Sequence, residues 1–268
     1  MAGTAKTDEL YGGILGHQGP RERARLAVLT AAFDPGTKRR LDDLRIGPDW
    51  SCLEVGAGSG SIAHWLAERV PRGRVVATDL DPSLLQRPYP VNMTVRRHDV
   101  TREEFPAGSF RLIHARTVLM HLPEREHTVQ RMLGWLEPGG ILLVEELAHF
   151  PRHGMPPSSP FRRAVEAWWT LLSRTFGMDA TWGTRVATVM RQAGYDSIHV
   201  DADLPALRPG TAIADFSRLT LEALEERLVN DGYLTADEIR AAYQEITHPE
   251  HISFPMAVIA THGHRPSR

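Results

Sequence analysis

Cysteine and lysine are scarce in this sequence of 268 residues, and its formal charge is nearly balanced. The only cysteine is Cys52, so the chain can form neither an internal disulfide nor a zinc site built from cysteines. Lysine occurs only at Lys6 and Lys38. The net charge of -2 includes no clustered basic excess, which argues against nucleic acid or an anionic membrane as the main partner. A small molecule is the favoured partner.

Long hydrophobic runs are also absent. No stretch approaches the roughly 18 apolar residues of a membrane span, and the N-terminal "MAGTAKTDELYGG" lacks the apolar region of a signal peptide. These absences predict a cytoplasmic protein without membrane contact. The length predicts one domain with elaborations. We expect an N-terminal helical cover over 1–45, a core built on a sheet over 46–150, and a helical lid with insertions and the last two strands over 151–268.

Apolar segments of strand length alternate with helical patterns between Ser51 and Glu146. The segments are "CLEV", "RVVATD", "TVRRHD", "FRLIHA" and "GILLVEE". This rhythm predicts a doubly wound, mostly parallel α/β sheet. Further on, "YDSIHV" and "FPMAVIATHGH" predict a sixth and a seventh strand, and helices are predicted over 61–70, 162–176, 184–193, 213–230 and 235–247. The last helix begins with a capping box of Thr235 and Glu238. Between the fourth and fifth strands, Pro123 is placed for a first helical turn, and "EPGG" is predicted to end that helix before the fifth strand.

A glycine-rich loop, "LEVGAGSGS", follows the first predicted strand from Leu53 to Ser61. Glycines at a strand end let the backbone approach a ligand and turn into a helix whose N-terminus favours negative charge. The dinucleotide fingerprint requires glycine or alanine at position 61, where Ser61 stands. The Y-x-x-x-K pair of short-chain reductases cannot be built, because both lysines precede the loop. A tight turn without a ligand, or a hydride-transferring enzyme of another type, remains an alternative.

Three acids near this loop favour a different nucleotide. Asp79 ends the second strand, where a carboxylate can accept hydrogen bonds from both ribose hydroxyls. Asp99 ends the third strand, where it can accept from an adenine amino group. Both acids could instead be ordinary turn carboxylates. Glu54 adds negative charge that would repel a pyrophosphate but suits a ligand with ammonium and sulfonium groups.

The loop has the form E/D-x-G-x-G-x-G from Glu54 to Gly60, and it is accompanied by "VVATDLDPSLL", "HDV" and "LEPGGILLVEE". Over about 51–146 the sequence thereby resembles the class I S-adenosylmethionine-dependent methyltransferases. The resemblance implies a seven-stranded Rossmann-like sheet, an enzyme that uses S-adenosylmethionine, and S-adenosylhomocysteine as its product. The segment "YGGILG" is similar to the N-terminal part of many bacterial small-molecule members.

The resemblance also implies where the cofactor is bound. The loop residues flank its methionine part, the second-strand acid binds its ribose, the "HDV" segment meets its adenine, and a backbone group at the end of strand four holds its amino group. These roles fall on Glu54, Gly56, Ala57, Gly58, Asp79, Leu80, Asp99, Val100 and the backbone of His114, with Tyr11 reaching the cofactor from the N-terminal segment.

Candidate residues for the acceptor side follow the fourth and fifth strands. His121 and His149 could each take a proton near neutral pH. Glu145 and Glu146 could instead face the pocket, and His17 could reach it from the N-terminal cover. A group of large side chains is either lid core or the wall of a site for an apolar or aromatic acceptor: Phe161, Trp168, Trp169, Phe176, Met178 and Trp182. No metal site is predicted, because His, Asp and Glu show no ligand spacing.

Three functions remain in competition at this point. The first is methyl transfer to a small-molecule acceptor, expected to be O-methylation in bacterial secondary metabolism. The second is a cyclase or isomerase that binds the same cofactor and transfers no methyl group. The third is a cofactor-binding protein without catalysis. A homodimer is compatible with all three.

Overall fold

The structure is a computed structural model that describes residues 20–149 and 154–267, with side chains from residue 23 onward. The strands are β1 Ser51–Val55, β2 Arg74–Asp79, β3 Met93–Arg97, β4 Phe110–Arg116, β5 Leu136–His149, β6 Asp196–Asp203 and β7 Met256–His264. The helices are α1 Pro20–Asp43, α2 Ser61–Arg69, α3 Arg125–Trp135, α4 Pro160–Phe176, α5 Val186–Ala193, α6 Ala212–Asn230 and α7 Ala236–Thr247. Short 3-10 turns lie at Pro82–Leu84, Leu119–His121 and Trp182–Thr184.

The strands form one seven-stranded sheet in the order β3-β2-β1-β4-β5-β7-β6. The pairs from β3 to β5 are parallel, and β6 pairs antiparallel with β7. The predicted α/β class and seven-stranded, mostly parallel sheet are confirmed. The strand order reverses between β1 and β4, which is where open α/β sheets bind ligands at the carboxyl ends of their strands.

The predicted strand β1 is central in the sheet and is almost entirely buried, and its buried residues are apolar except for Glu54. Cys52 to Val55 are all buried between β2 and β4. Helix α2 packs on this region through Ile62, Ala63, Leu66 and Ala67, which share one helical face. This packing fixes the position of the loop that joins β1 to α2.

Strand β5 differs from its prediction at one end. The segment "EPGG" is predicted to separate helix α3 from the strand, but β5 already begins at Leu136. Leu136 pairs with Phe110, and the ladder then shifts before Ile141 pairs with Leu112. Gly139 lies between these two pairs and has a left-handed backbone conformation with a φ of 75°. The glycines therefore form a bulge within the strand rather than a break before it.

The chain divides into two compact units. In the described part of the chain, one unit comprises 20–33, 148–149, 154–180 and 204–257, and the other comprises 34–147, 181–203 and 258–267. The second unit holds the sheet apart from the last residues of β5 and the first residues of β7.

The first unit contains α4, α6 and α7, which lie in the predicted lid, and the first residues of α1, which lie in the predicted N-terminal cover. Helix α4 packs against α6 and α7 through a largely buried face. Thr235 and Glu238 form the predicted capping box at the start of α7, with Glu238 N–H donating to Thr235 Oγ1 over 3.2 Å. No helix within the described ranges is long and apolar enough to cross a membrane.

Candidate cofactor site

The glycine loop turns the chain sharply from β1 into α2. Gly56 has a φ of 65°, and a Cβ there would lie 2.3 Å from Val118 Cγ2. Gly60 caps α2 with a φ of 84°. Both positions combine a left-handed backbone with close neighbours, which explains why glycine occupies them. The loop thereby brings backbone N–H groups to the carboxyl edge of the sheet.

Asp79 fixes this loop from the neighbouring strand. Gly58 N–H donates to Asp79 Oδ2 over 2.9 Å, and Asp81 N–H donates to Oδ1 over 3.0 Å. Ala57 N–H donates to the carbonyl of Thr78 over 2.9 Å. The next side chain, Leu80, is 41% exposed. The structure therefore brings the predicted ribose acid, the glycine loop and an exposed apolar surface together.

Asp99 and Val100 follow β3 in a tight turn. Thr101 donates to Asp99 Oδ1 from its backbone N–H over 2.9 Å and from its hydroxyl over 2.6 Å. Arg102 lies 3.4 Å from Asp99 Oδ2, and Val100 is buried. Asp99 thus has the geometry of a turn carboxylate, and its contact with adenine stays a prediction.

Glu54 and His114 form a buried pair beside the loop. They are opposite each other in the parallel ladder of β1 and β4, so their side chains lie on one face of the sheet. His114 Nδ1 lies 2.7 Å from Glu54 Oε2, and His114 Nε2 lies 3.1 Å from Glu145 Oε2. All three side chains are at most 5% exposed. The predicted role of His114 concerned its backbone and stays a prediction, but its side chain clearly bridges two carboxylates.

Helix α1 completes the surroundings of Glu145. Arg40 Nη1 donates to Glu145 Oε1 over 2.9 Å, and the hydroxyl of Thr37 donates to Oε2 over 2.5 Å. Arg40 also pairs with Asp201 and Asp203 on β6. A buried charge requires such partners, because an isolated one is very costly to remove from water.

The ionisation of the network follows from these contacts. Burial alone would lower the pKa of His114, but the charge of Glu54 and the hydrogen bonds to both carboxylates raise it to about 9. Burial alone would raise the pKa of Glu145, but His114, Thr37 and Arg116 lower it to about 2. At neutral pH His114 is therefore an imidazolium between carboxylates.

The Glu146 side chain lies on the opposite face of the sheet from that of Glu145, because successive side chains on a strand point to alternate faces. Its Oε1 accepts from the N–H groups of Leu119, over 2.8 Å, and Met120, over 3.3 Å. Burial raises its pKa to about 8, although hydrogen bonds from backbone N–H groups oppose the rise. These contacts hold the 3-10 turn that ends at His121, which is half-buried after β4.

His149 is the last residue of β5 and belongs to the first unit. Its ring lies 5.4 Å from that of Trp169. The large side chains predicted as either lid core or the wall of an acceptor site are all buried, which favours the core interpretation: Phe161, Trp168, Trp169, Phe176, Met178 and Trp182. These side chains therefore do not support an apolar or aromatic acceptor, and that acceptor stays a prediction.

Two further expectations are limited by the described ranges. Tyr11 lies outside the described residues, as does His17. Among the residues that the structure does describe, no group of three His, Cys, Asp or Glu side chains is arranged to hold a metal ion.

Sequence reasoning missed several members of the buried network: Asp34, Thr37, Arg40 and Arg116. The segment "LVEEL" does indicate that such partners exist, because two acids in an apolar strand require buried partners. The segment does not identify them, since Arg40 lies 105 positions from Glu145.

Comparisons with known proteins agree with this geometry. A family model described as "Methyltransferase domain" matches residues 17–200. "Methyltransferase str2" of Strobilurus tenacellus is 35% identical over 128 residues, which are 47% of this chain and 46% of that protein. Phosphoethanolamine N-methyltransferase 3 of Arabidopsis thaliana is 28% identical over 126 residues, which are 45% of this chain and 26% of that protein. The alignments thus span less than half the length of these two relatives.

A solved structure shows the same fold at low sequence identity. Phosphoethanolamine N-methyltransferase 2 of Haemonchus contortus, in complex with S-adenosyl-L-methionine, has a TM-score of 0.56 and 16% identity. The match covers 99% of this chain and 61% of that chain.

Proposed function

Because this chain belongs to the S-adenosylmethionine-dependent methyltransferase family, we propose that it transfers the methyl group of this cofactor to a small-molecule acceptor. The single observation that carries the proposal is the junction of the glycine loop with Asp79. There Gly58 N–H donates to the carboxylate over 2.9 Å at the reversal of strand order. This junction supports a nucleoside at the site, and the family supports the identity of the nucleoside.

The residues present fit the cofactor. Within the described ranges, the Glu54 carboxylate contacts the ring of His114, whose Nδ1 lies 2.7 Å from Oε2. The other oxygen, Oε1, suits the ammonium group of the methionine part. Asp79 would bind the ribose hydroxyls, and the exposed side chain of Leu80 would pack on the adenine. When bound, the cofactor supplies an electrophilic methyl group on a positively charged sulfur.

The protein's part in the transfer is alignment and proton removal. The loop and Asp79 orient the nucleoside, and proximity is a large part of catalysis for such a displacement. His121 lies at the end of the 3-10 turn held by Glu146, after β4, where it would take a proton from the acceptor. His149, at the end of β5, is the second candidate.

We infer that the acceptor atom is oxygen, because a hydroxyl needs a base and histidines follow two strand ends. The phosphoethanolamine N-methyltransferases among the relatives make an amine the alternative. A role in bacterial secondary metabolism, with an apolar or aromatic acceptor, is part of the same proposal. It rests on the similarity of the N-terminal segment to small-molecule members.

The test is incubation with methyl-labelled S-adenosylmethionine and a panel of phenols, alcohols and amines. The proposal predicts labelled product and an equal amount of S-adenosylhomocysteine. Conversion of an acceptor without S-adenosylhomocysteine would instead support a cyclase or isomerase. Cofactor binding without any conversion across the panel would favour a protein that binds the cofactor without catalysis.

A further inference from the structure

His114 occupies an unusual place in the sheet for an ionisable side chain. It is fully buried on β4, with one ring nitrogen 2.7 Å from Glu54 Oε2 and the other 3.1 Å from Glu145 Oε2. Both ring nitrogens must carry protons to donate to two ionised carboxylates. The ring is therefore a cation fixed at both ends, and it does not face solvent.

The charges around this ring balance only if it is protonated. Glu54 and Glu145 supply two negative charges, and Arg40 supplies one positive charge through its 2.9 Å contact with Glu145. Arg40 is shared with Asp201 and Asp203, so it does not neutralise Glu145 alone. His114 is the only cation in the described part of the chain that contacts Glu54.

We propose that His114 is a positioning residue for the cofactor, whose ring, placed between Glu54 and Glu145, holds the Glu54 carboxylate in one orientation at the start of the glycine loop. The side chain of His114 acts through Glu54 and does not itself touch the cofactor. Glu54 Oε2 is bound by the ring, which leaves Oε1 to receive the ammonium group. The inference rests on the proposed function, because it requires a cationic cofactor beside Glu54.

The other groups near the ring cannot replace it. Thr37 and Arg40 on α1 contact Glu145 rather than Glu54. Arg116, on the same strand, donates to Thr37 and Asp34. Cys52 on β1 stays a neutral thiol, because burial and the charge of Glu54 raise its pKa to about 12. Without His114, the buried carboxylates would lose their shared cation and the pair would take up a proton.

The test measures the Kd of S-adenosylhomocysteine by calorimetry between pH 6 and pH 8 for the wild type and for His114→Asn. The wild type is expected to bind with nearly constant affinity. His114→Asn should bind more weakly at pH 6 than at pH 8, because the proton taken up by the carboxylate pair must be released on binding. The difference is at most about tenfold per pH unit, which is the limit when one proton is linked to binding. The binding enthalpy of His114→Asn should differ between phosphate and Tris buffers, because a proton is released on binding.

Two variants serve as controls. The double variant Glu54→Gln/His114→Asn should lose the pH dependence, since the acid that faces the cofactor is gone. His262→Asn makes the same substitution at a half-buried histidine of β7 whose ring neighbours are His199 and His264, and it should behave as the wild type.

The inference is overturned if His114→Asn binds S-adenosylhomocysteine with wild-type affinity at both pH values, or equally weakly at both. If the wild type binds none, the proposed function fails instead. Should His114→Asn not fold, nitrogen NMR of the wild type decides the matter. The inference predicts a doubly protonated ring for His114 at pH 7.5, and a neutral ring would contradict it.

Discussion

Asp79 is a side chain that we expect to act on both the fold and the ligand. Its two carboxylate oxygens accept from the N–H groups of Gly58 and Asp81. Hydrogen bonds to a charged group contribute about 1.5–3 kcal/mol each. The acid is therefore expected to set both the shape of the loop and the affinity for the nucleoside.

Replacing this acid should weaken cofactor binding. Asp79→Ala is expected to raise the Kd of S-adenosylmethionine at least about tenfold, because it removes charge-assisted hydrogen bonds to the ribose. Calorimetry measures the change, and circular dichroism checks the fold. Asp81→Ala is the matched control, since the Asp81 side chain caps the turn at Pro82–Leu84 by accepting from Ser83 N–H over 3.0 Å, and its Kd should stay near that of the wild type. Unchanged affinity in Asp79→Ala would place the ribose elsewhere.

His121, which follows β4, and His149, which ends β5, are the candidate bases, and each can be tested by a single substitution. If one of them is the base, its replacement by alanine should lower kcat by about 10²–10⁴ with the Kd of the cofactor unchanged. A higher pH should partly restore the rate with a phenol as acceptor. Steady-state kinetics of His121→Ala and His149→Ala decide this. Near-normal kcat in both would indicate that alignment alone suffices, with an amine or an already ionised phenol as acceptor.

At the scale of the element, the loop between β1 and α2 depends on backbone conformations that only glycine adopts easily. Gly56→Ala should lower stability and cofactor affinity, because the φ of 65° is strained and the new Cβ meets Val118 at 2.3 Å. The left-handed conformation alone costs about 1–2 kcal/mol. Urea denaturation and calorimetry measure the two losses.

A glycine in a helix provides the matched control. Gly134 lies in α3, and a Cβ added there would have no neighbour within 4 Å, so Gly134→Ala should raise stability by about 0.5–1 kcal/mol. Adding Val118→Ala to Gly56→Ala should recover part of the loss by removing the overlap. A neutral Gly56→Ala variant would show that the loop is not held as described.

The elements were largely predictable because their signals are local. Strands β1 and β4 are short apolar runs, and the capping box of α7 needs only Thr235 and Glu238. The bulge at Gly139 was not predictable, since it depends on the pairing of β5 with Phe110. The buried network was hidden for the same reason, because His114 meets Glu54 across 60 positions of sequence. Local patterns predict elements, whereas partners of buried charges depend on tertiary structure.

At the scale of the whole molecule, two buried groups make stability depend on pH. The folded state holds a proton on His114 up to pH about 9, whereas the unfolded state releases it near 6.5. Glu146 likewise keeps its proton in the folded state up to pH about 8. Where the folded state binds more protons, the free energy of unfolding falls as pH rises.

We therefore expect the free energy of unfolding to decrease between pH 6.5 and pH 8. The contribution of His114 is fully present below pH 6.5 and is lost as pH rises through about 9. Glu146→Gln keeps an oxygen that accepts from Leu119 and removes the titrating proton, so it should reduce the slope. Urea denaturation at several pH values measures it. A free energy that rises over this range in the wild type would contradict these proton assignments.

The most direct test of the central claim is a calorimetric titration of the wild-type protein with S-adenosylmethionine, S-adenosylhomocysteine and NAD. We expect Glu54 to hold the ammonium group of the cofactor and to repel a pyrophosphate, and Asp79, which fixes the glycine loop through Gly58, to bind the ribose. The account predicts saturable binding of both sulfur nucleosides with one site per chain, and no comparable binding of NAD. Tight binding of NAD, with no affinity for either sulfur nucleoside, would contradict it.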